Sequence, residues 1–184
     1  KENADRRRRQ LLEAAKRSIV SHGLARTTLA TVANEAGLSQ GVAVFYFKSK
    51  SGLLTETFRD LYRSYEAIWR AAIAAAQTPE QQLNALIEGD FSDEACGADV
   101  LPLWFAFWGE LRFSEHYAQV ASDFDQRRQQ AVAEVWSALL PNAPEELALQ
   151  YAKWMDTLTD GYWQRLHLSP EAVSRAEAAQ KTRA

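Results

Sequence analysis

The chain has 184 residues, 47% hydrophobic and 24% charged, with a net charge of −3, an ordinary globular composition that excludes an intrinsically disordered protein. No apolar run approaches the ~20 residues of a membrane helix. Because the first residues are charged, we expect no signal peptide and a cytoplasmic protein with no membrane partner. The single cysteine, Cys96, cannot form an internal disulfide, which is consistent with a reducing cytosol.

The charge is divided unevenly along the chain. Residues 1–50 hold ten Lys or Arg and four Asp or Glu, a net charge of +6, and the remainder has a net charge of −9. A basic region on an acidic body directs only that region toward a polyanion such as DNA. Taken alone, the Arg6–Arg9 run favours a solvated helix start, and only next to a DNA-binding motif is phosphate contact equally consistent with it.

The first two predicted helices are amphipathic. The first runs from about Asp5 to His22, ends at Gly23, and has an apolar stripe of Leu11, Leu12, Ala15 and Ile19. The second follows Thr28, with Leu29, Val32, Ala33 and Ala36 at helical spacing. We expect Thr28 to be a plain cap, because Thr31 is neither Glu nor Gln and a capping box requires one of them.

A tight turn and a short third helix come next. Gly37 supplies the left-handed residue that ends a helix, and Ser39 is the predicted cap of a helix over about Gln40–Tyr46. Two short helices joined in this way are typical of a helix-turn-helix, whose second helix enters the DNA major groove. The predicted contacts with base edges or sugars are Ser39, Gln40, Gly41, Val42, Phe45 and Tyr46, and those with phosphates are Thr28, Lys48 and Lys50.

The rest of the chain is predicted to be helical. Ser49 caps a long helix over Lys50–Ala76, which spans about 40 Å at 1.5 Å per residue. We therefore predict a DNA-binding domain over residues 1–49 and an effector-binding and dimerisation domain over residues 50–184. The remaining predicted helices are Pro79–Gly89, Asp99–Phe113, Glu115–Leu140, Pro144–His167 and Pro170–Lys181. About nine helices and no alternating strand pattern predict an all-α fold.

Aromatic residues are concentrated in the body. Aromatic side chains at helical spacing are consistent with an ordinary core, but rings beside a carboxylate are also how proteins recognise a quaternary ammonium ion. For this second interpretation the candidate cage is Trp104, Trp108, Tyr117 and Trp163, with Asp90 or Asp160 as the counter-charge.

Catalysis, metal binding and cofactor binding have little support in the sequence. The three histidines, His22, His116 and His167, are scattered, and none has a nucleophile at a recognisable spacing. Cys96 has no partner for zinc or redox chemistry, and there is no glycine-rich phosphate loop. We therefore expect neither an enzyme nor a cofactor.

Several of these segments resemble a known family. The Gly-Leu-Ser turn and the Tyr-Phe-Lys-Ser-Lys-Ser-Gly-Leu-Leu run at residues 46–54 resemble the DNA-binding end of the TetR family of bacterial repressors, over roughly Arg9–Leu61. Three body segments, Gly89-Asp90-Phe91, Leu103–Trp108 and Asp160–Trp163, resemble its choline-responsive BetI-like subgroup. The resemblance implies a homodimeric, ligand-responsive repressor that binds operator DNA and a choline-like effector.

Two alternatives stay open, along with the details of assembly. The effector can be another small lipophilic or cationic molecule, or the chain can be a helical partner-binding protein with a degenerate DNA-binding region. For the dimer we expect the last two helices of each protomer to form a four-helix bundle. Its predicted seam contains Tyr151, Leu158, Val173 and Ala176.

Overall fold

The computed structural model describes residues 2–184, and all regular structure in that range is α-helical, which confirms the predicted all-α class. Ten helices occur there: α1 Glu2–His22, α2 Leu29–Glu35, α3 Gln40–Phe47, α4 Lys50–Ala75, α5 Pro79–Asp90, α6 Asp93–Cys96, α7 Leu101–Trp108, α8 Glu115–Leu139, α9 Glu145–Leu168 and α10 Arg175–Arg183. None of these helices has both the length and the apolar content that crossing a membrane requires.

The helices group into two compact units. The first contains the chain up to Arg63 together with Pro102–Ala121, and the second contains Ser64–Leu101 and Ser122–Ala184. The predicted boundary near Ser49, which separates a DNA-binding domain from the body, stays a prediction.

The first unit has two apolar clusters. One joins the first three helices and the start of α4 through Leu11, Leu12, Ala14, Ala15, Val32, Ala33, Ala43, Phe47 and Leu53. The other is aromatic and contains Phe58, Tyr62, Trp104, Phe107 and Tyr117. Burial of the α1 stripe fixes the orientation of α1, and the packing of Ala43 and Phe47 fixes which face of α3 turns inward.

Several helix ends form as the sequence predicts. Gly23 and Gly37 have φ values of +80° and +67°, a region that is costly for residues with a Cβ. The Ser49 hydroxyl accepts the Gly52 N–H at 3.0 Å at the start of α4. Thr78 caps α5 with Pro79 in the first turn. The boundaries of α1, α4, α5 and α9 consequently lie close to the predicted ones.

The caps of α2 and α3 differ from the prediction. Thr28 and Thr31 do form a capping box, because the Thr31 hydroxyl accepts the Thr28 N–H at 2.9 Å while the Thr28 hydroxyl accepts the Thr31 N–H at 3.1 Å. Ser39 occupies the N-cap position of α3, but its side chain makes no capping hydrogen bond. Since this end of α3 is exposed, solvent can satisfy its first N–H groups.

Three helices of the body were mispredicted. The helix predicted over Asp99–Phe113 is limited to α7, Leu101–Trp108, because Gly109 begins a run of turns and glycine is a poor helix former. The predicted break at Phe91–Gly97 contains the one-turn α6, which Ser92 caps. The last helix begins at Arg175 rather than Pro170, because Ser174 and Glu177 form a capping box there.

Candidate functional site

Helix α3 has one inward and one outward face. Ala43 and Phe47 are buried, and Val42 and Tyr46 pack partly against the same core. The exposed residues Gln40, Gly41, Val44 and Phe45 lie one turn apart in two pairs and form a single solvent-facing surface. The side chains of Val44 and Phe45 are 40% and 68% exposed, which is unusual for large apolar residues that have no partner to contact.

The residues on the outward face of α3 therefore differ from those predicted to contact bases. Val44 belongs to the outward face although the sequence analysis did not include it, and the spacing of four residues from Gln40 would have identified it. Val42 and Tyr46 lie at its edge, because part of each side chain is used in the core.

The two lysines after α3 are held by backbone carbonyls. Lys48 has a φ of +66°, and its ammonium group donates to the Phe45 carbonyl oxygen at 2.8 Å and lies 5.2 Å from the centroid of the Phe45 ring. The ammonium group of Lys50 donates to the carbonyl oxygen of Ala25. An ammonium group has three donors, so each lysine keeps donors for an anion. Lys48 and Lys50 belong to the first unit, and so does Thr28, the N-cap of α2.

Part of the predicted aromatic cage comes together in the first unit. The ring centroids of Trp104 and Trp108 are 5.6 Å apart, and the indole of Trp104 is only 1% exposed. Tyr117 meets Phe107 edge-on at 5.3 Å, and Phe107 stacks on Phe58 at 4.5 Å. These rings already contact one another, so they form a continuous aromatic cluster within which Trp108 is the less buried indole.

Asp90, one of the predicted counter-charges, lies in the second unit and is fully buried. The Arg128 guanidinium donates to Asp90 Oδ2 at 2.8 Å, and the Tyr65 hydroxyl donates to Asp90 Oδ1 at 2.8 Å. Burial raises the pKa of the Asp90 carboxyl, and the Arg128 charge opposes that rise. The indole N–H of Trp163 donates to the Asp90 backbone carbonyl at 2.9 Å. Asp90 and Trp163 are therefore already engaged in a protein network.

Arg128 is the residue that the sequence analysis missed. It is 4% exposed, and it also donates from Nε to the Asp156 carboxylate at 2.9 Å. Asp160 is exposed, yet the protein crowded around its carboxyl, followed by the charges of Asp156 and Asp125, raises its pKa to about 7. Its spacing of four residues from Phe124 and from Val132 puts Arg128 on the buried face of α8, but only the fold reveals its partners.

The residues considered for catalysis remain unassigned. Cys96 is buried, and burial raises the pKa of its thiol to about 12, so the thiolate nucleophile is scarce at neutral pH. Within residues 2–184, no three His, Cys, Asp or Glu side chains are grouped closely enough to hold a metal ion.

Comparison with known families divides the chain into two matches. Residues 11–57 match the model for bacterial regulatory proteins of the tetR family, and residues 79–184 match the model for the C-terminal domain of BetI-type transcriptional repressors. The first match covers α1 from Leu11 onward, α2, α3 and the start of α4, and the second covers the whole of α5–α10.

Individual relatives agree with these matches. The HTH-type transcriptional regulator BetI of Stenotrophomonas maltophilia is 33% identical over 160 residues, which cover 86% of this chain and 80% of that protein. BetI of Yersinia pestis is 32% identical over 174 residues, which cover 94% and 86% respectively.

Solved structures share the fold. A putative transcriptional regulator from Pseudomonas aeruginosa PAO1 has a TM-score of 0.87 at 24% identity, covering 97% of this chain and 87% of its own. A putative transcriptional regulator from Saccharomonospora viridis, solved in complex with choline, has a TM-score of 0.83 at 21% identity, with coverages of 95% and 92%.

Proposed function

Because this chain belongs to the TetR family of bacterial regulatory proteins and has a BetI-type C-terminal domain, we propose that it represses transcription by binding operator DNA through α2 and α3. We further propose that a small molecule bound in the C-terminal part controls this binding. The protein then acts as a sensor that couples two distinct sites, and its effector must bind the DNA-competent and DNA-free states with different affinity.

The outward face of α3 is the observation that carries the DNA-binding proposal. Gln40 can make a bidentate contact with adenine, and the apolar side chains of Val44 and Phe45 can contact thymine methyl groups. Gly41 leaves room for the helix to approach the base edges closely. The exposed apolar surface of Val44 and Phe45 then has a function, because DNA covers it in the complex.

Phosphate contacts are proposed for Thr28 at the start of α2, Lys48 at the end of α3 and Lys50 at the start of α4. Replacing Lys50 with alanine is expected to weaken binding to all DNA sequences alike, and to reduce the slope of log affinity against log salt by about 1. Replacing Gln40 with alanine is expected to relax base preference at one operator position, at a cost of about 1–3 kcal/mol for the preferred base. Fluorescence anisotropy with operator variants over a salt series measures both effects. A change in base preference on Lys50→Ala would contradict this division of roles.

A choline-like quaternary ammonium ion is the proposed effector. Two observations support it: the BetI-type match over residues 79–184, and the choline complex of the Saccharomonospora viridis regulator. Such a cation has no hydrogen to donate, so ring faces must hold it. Trp104, Trp108 and Tyr117 are the proposed aromatic contacts. The predicted contacts Asp160 and Trp163, which belong to the second unit, stay predictions, and the carboxylate of Asp90 already pairs with Arg128.

The test of this effector is calorimetry with choline. Trp108→Leu is expected to weaken choline binding roughly tenfold, since cation–π attraction contributes about 1–2 kcal/mol at a partly desolvated ring. Trp108→Phe should retain part of the affinity because it keeps a ring. The control is Phe113→Leu, which removes an exposed ring of the first unit outside the proposed cage. Equal choline affinity for wild type and Trp108→Leu would contradict the proposed aromatic cage, while the DNA-binding proposal would still stand.

Assembly as a homodimer is proposed through α9 and α10. Trp154 and Leu158 are exposed on α9 and border a groove that also contains Gly161 and Tyr162. Of the seam residues predicted from the sequence, Val173 is buried within the chain, with 7% of its surface exposed, whereas Ala176 is exposed.

Analytical sedimentation, which measures the oligomeric state, tests this proposal. The wild type is expected to be a dimer at micromolar concentration, and Leu158→Arg is expected to shift it toward monomer, because the substitution places a charge in an apolar contact. Gln126→Arg, at an exposed position of α8 outside the proposed seam, is the control. A wild-type monomer with full operator affinity would contradict dimeric binding.

A further inference from the structure

The four consecutive arginines near the start of α1, Arg6–Arg9, do not share one environment. Arg8 is half-buried, because it stands four residues before Leu12 on the apolar stripe of α1, whereas the other three are exposed. A basic run that looks uniform in the sequence therefore contains one arginine that is engaged with the first unit and three that are open to solvent.

Arg8 contacts two other helices of the first unit at once. Its Nη2 donates to the carboxylate of Glu56 on α4, and its guanidinium lies 5.8 Å from the centroid of the Phe47 ring on α3, within the range of a cation–π contact. Phe47 is only 4% exposed and belongs to the core that holds the inward face of α3. Arg8 thus joins the end of α3 to the start of α4.

The charge of Arg8 is directed at the protein. The side chains of Arg8 and Glu56 are 34% and 24% exposed, so this pair is less screened by solvent than a fully exposed one. Arg59 also donates to the Glu56 carboxylate, which places that carboxylate between two guanidinium groups. A phosphate contact by Arg8 would require its guanidinium to leave both the carboxylate and the Phe47 ring.

We propose that Arg8 is a positioning residue for α3, which holds Phe47 in place through the ion pair with Glu56 and does not itself contact DNA. The inference rests on the proposed function, in which the outward face of α3 contacts base edges. Phe47 is the last residue of α3, so a change in its packing alters the orientation of that face. Operator affinity depends on this orientation, because a recognition helix has to fit the major groove.

A second ion pair between α1 and α4 supplies the matched control. The ammonium group of Lys16 lies 2.9 Å from the Asp60 carboxylate, two turns further along α1 than Arg8, while the cation over the Phe47 ring is Arg8. Lys16→Met should therefore loosen the packing of α1 on α4 and lower the free energy of unfolding. Its operator affinity should stay within about twofold of the wild type, because α3 keeps its contact with Arg8.

The test measures anisotropy over a salt series, with the full chain and a DNA duplex that the wild type selects from a random-sequence pool. Arg8→Met is expected to weaken binding about threefold to tenfold. The slope of log affinity against log salt should stay unchanged, whereas Lys50→Ala should reduce it by about 1. Glu56→Gln should also weaken binding, although it removes a negative charge. If Arg8 instead bound phosphate, Glu56→Gln would free it and strengthen binding.

Amide NMR spectra of the DNA-free protein report on α3 directly. Arg8→Met and Glu56→Gln should both shift the amide signals of Val44–Lys48, and Lys16→Met should leave them in place. Unmoved signals in Arg8→Met, a salt slope reduced by about 1 in that variant, or stronger DNA binding by Glu56→Gln would each overturn the positioning role. A wild type that selects no sequence from the pool would instead contradict the proposed function, and the amide signals would still decide whether Arg8 orients α3.

Discussion

Replacing Arg128 with methionine is expected to lower the free energy of unfolding by about 3–5 kcal/mol, because the change leaves a carboxylate buried without its counter-charge. Asp90 is fully buried and would keep the Tyr65 hydroxyl as its closest remaining donor. Methionine retains much of the side-chain length, so the loss reports the charge rather than a cavity. Urea unfolding followed by circular dichroism measures the difference.

The neighbouring arginine supplies the matched control. Arg127 pairs with Glu66 at 3.2 Å, but this pair is exposed, so Arg127→Met should cost less than about 1 kcal/mol. Adding Asp90→Asn to Arg128→Met should recover much of the lost stability, because the second change removes the unpaired charge. If Arg128→Met is no worse than Arg127→Met, the buried pair does not stabilise the second unit.

The free energy of unfolding of Arg128→Met is expected to depend on pH. Burial already raises the pKa of Asp90 in the folded protein, and removing Arg128 removes the charge that opposes this rise. In the folded variant the Asp90 carboxyl therefore keeps its proton at pH values above 3.8, whereas in the unfolded chain it loses the proton at its ordinary pKa of 3.8. The stability of the variant therefore falls as pH rises from 3.8 toward the raised pKa of Asp90, and its deficit relative to the wild type should be smaller below this window than above it.

Replacing Gly52 with alanine is expected to lower the free energy of unfolding by about 1–3 kcal/mol and to weaken operator binding roughly tenfold or more. A Cβ at Gly52 would lie 2.1 Å from the carbonyl oxygen of Phe47. A backbone oxygen cannot rotate away, so the turn between α3 and α4 has to move. Phe47 anchors the inward face of α3, and its displacement would tilt the outward face that is proposed to contact DNA.

Gly41 provides the opposite case on α3. A Cβ there meets only the Ser39 hydroxyl oxygen, at 3.8 Å, so Gly41→Ala should leave the free energy of unfolding unchanged or raise it slightly. Thermal unfolding distinguishes the two substitutions, and anisotropy follows their DNA binding. Equal melting temperatures for Gly52→Ala and wild type would show that the α3–α4 turn has room for a side chain.

The local features were predictable because they depend on near neighbours in sequence. Glycine at positions 23 and 37, Ser49 before α4 and Thr78-Pro79 before α5 each determine a helix end through hydrogen bonds or φ angles within a few residues. The Thr28–Thr31 capping box was missed because the rule names Glu and Gln, although a threonine hydroxyl can accept the same N–H.

The partners of Asp90 were not predictable from local pattern. Arg128 is 38 positions away and Trp163 is 73 positions away, and periodicity shows which face is buried but not what meets it. The aromatic run of α7 has a similar ambiguity, since Trp104 is as buried as a core residue should be. Spacing therefore identified the elements of the candidate sites, and the fold decided which of their side chains were already paired.

Lys48 is the only residue other than glycine, among those described, with a positive φ. A side chain in that left-handed conformation costs about 1–2 kcal/mol, and glycine would remove the cost. A library of variants sorted for thermostability should therefore become enriched in glycine at this position. A library sorted for repression in living cells should retain lysine, if its charge is needed on the DNA. Glycine would then be enriched at position 48 in one library and lysine in the other. This difference is expected for a residue whose side chain contributes to binding but lowers the stability of the fold.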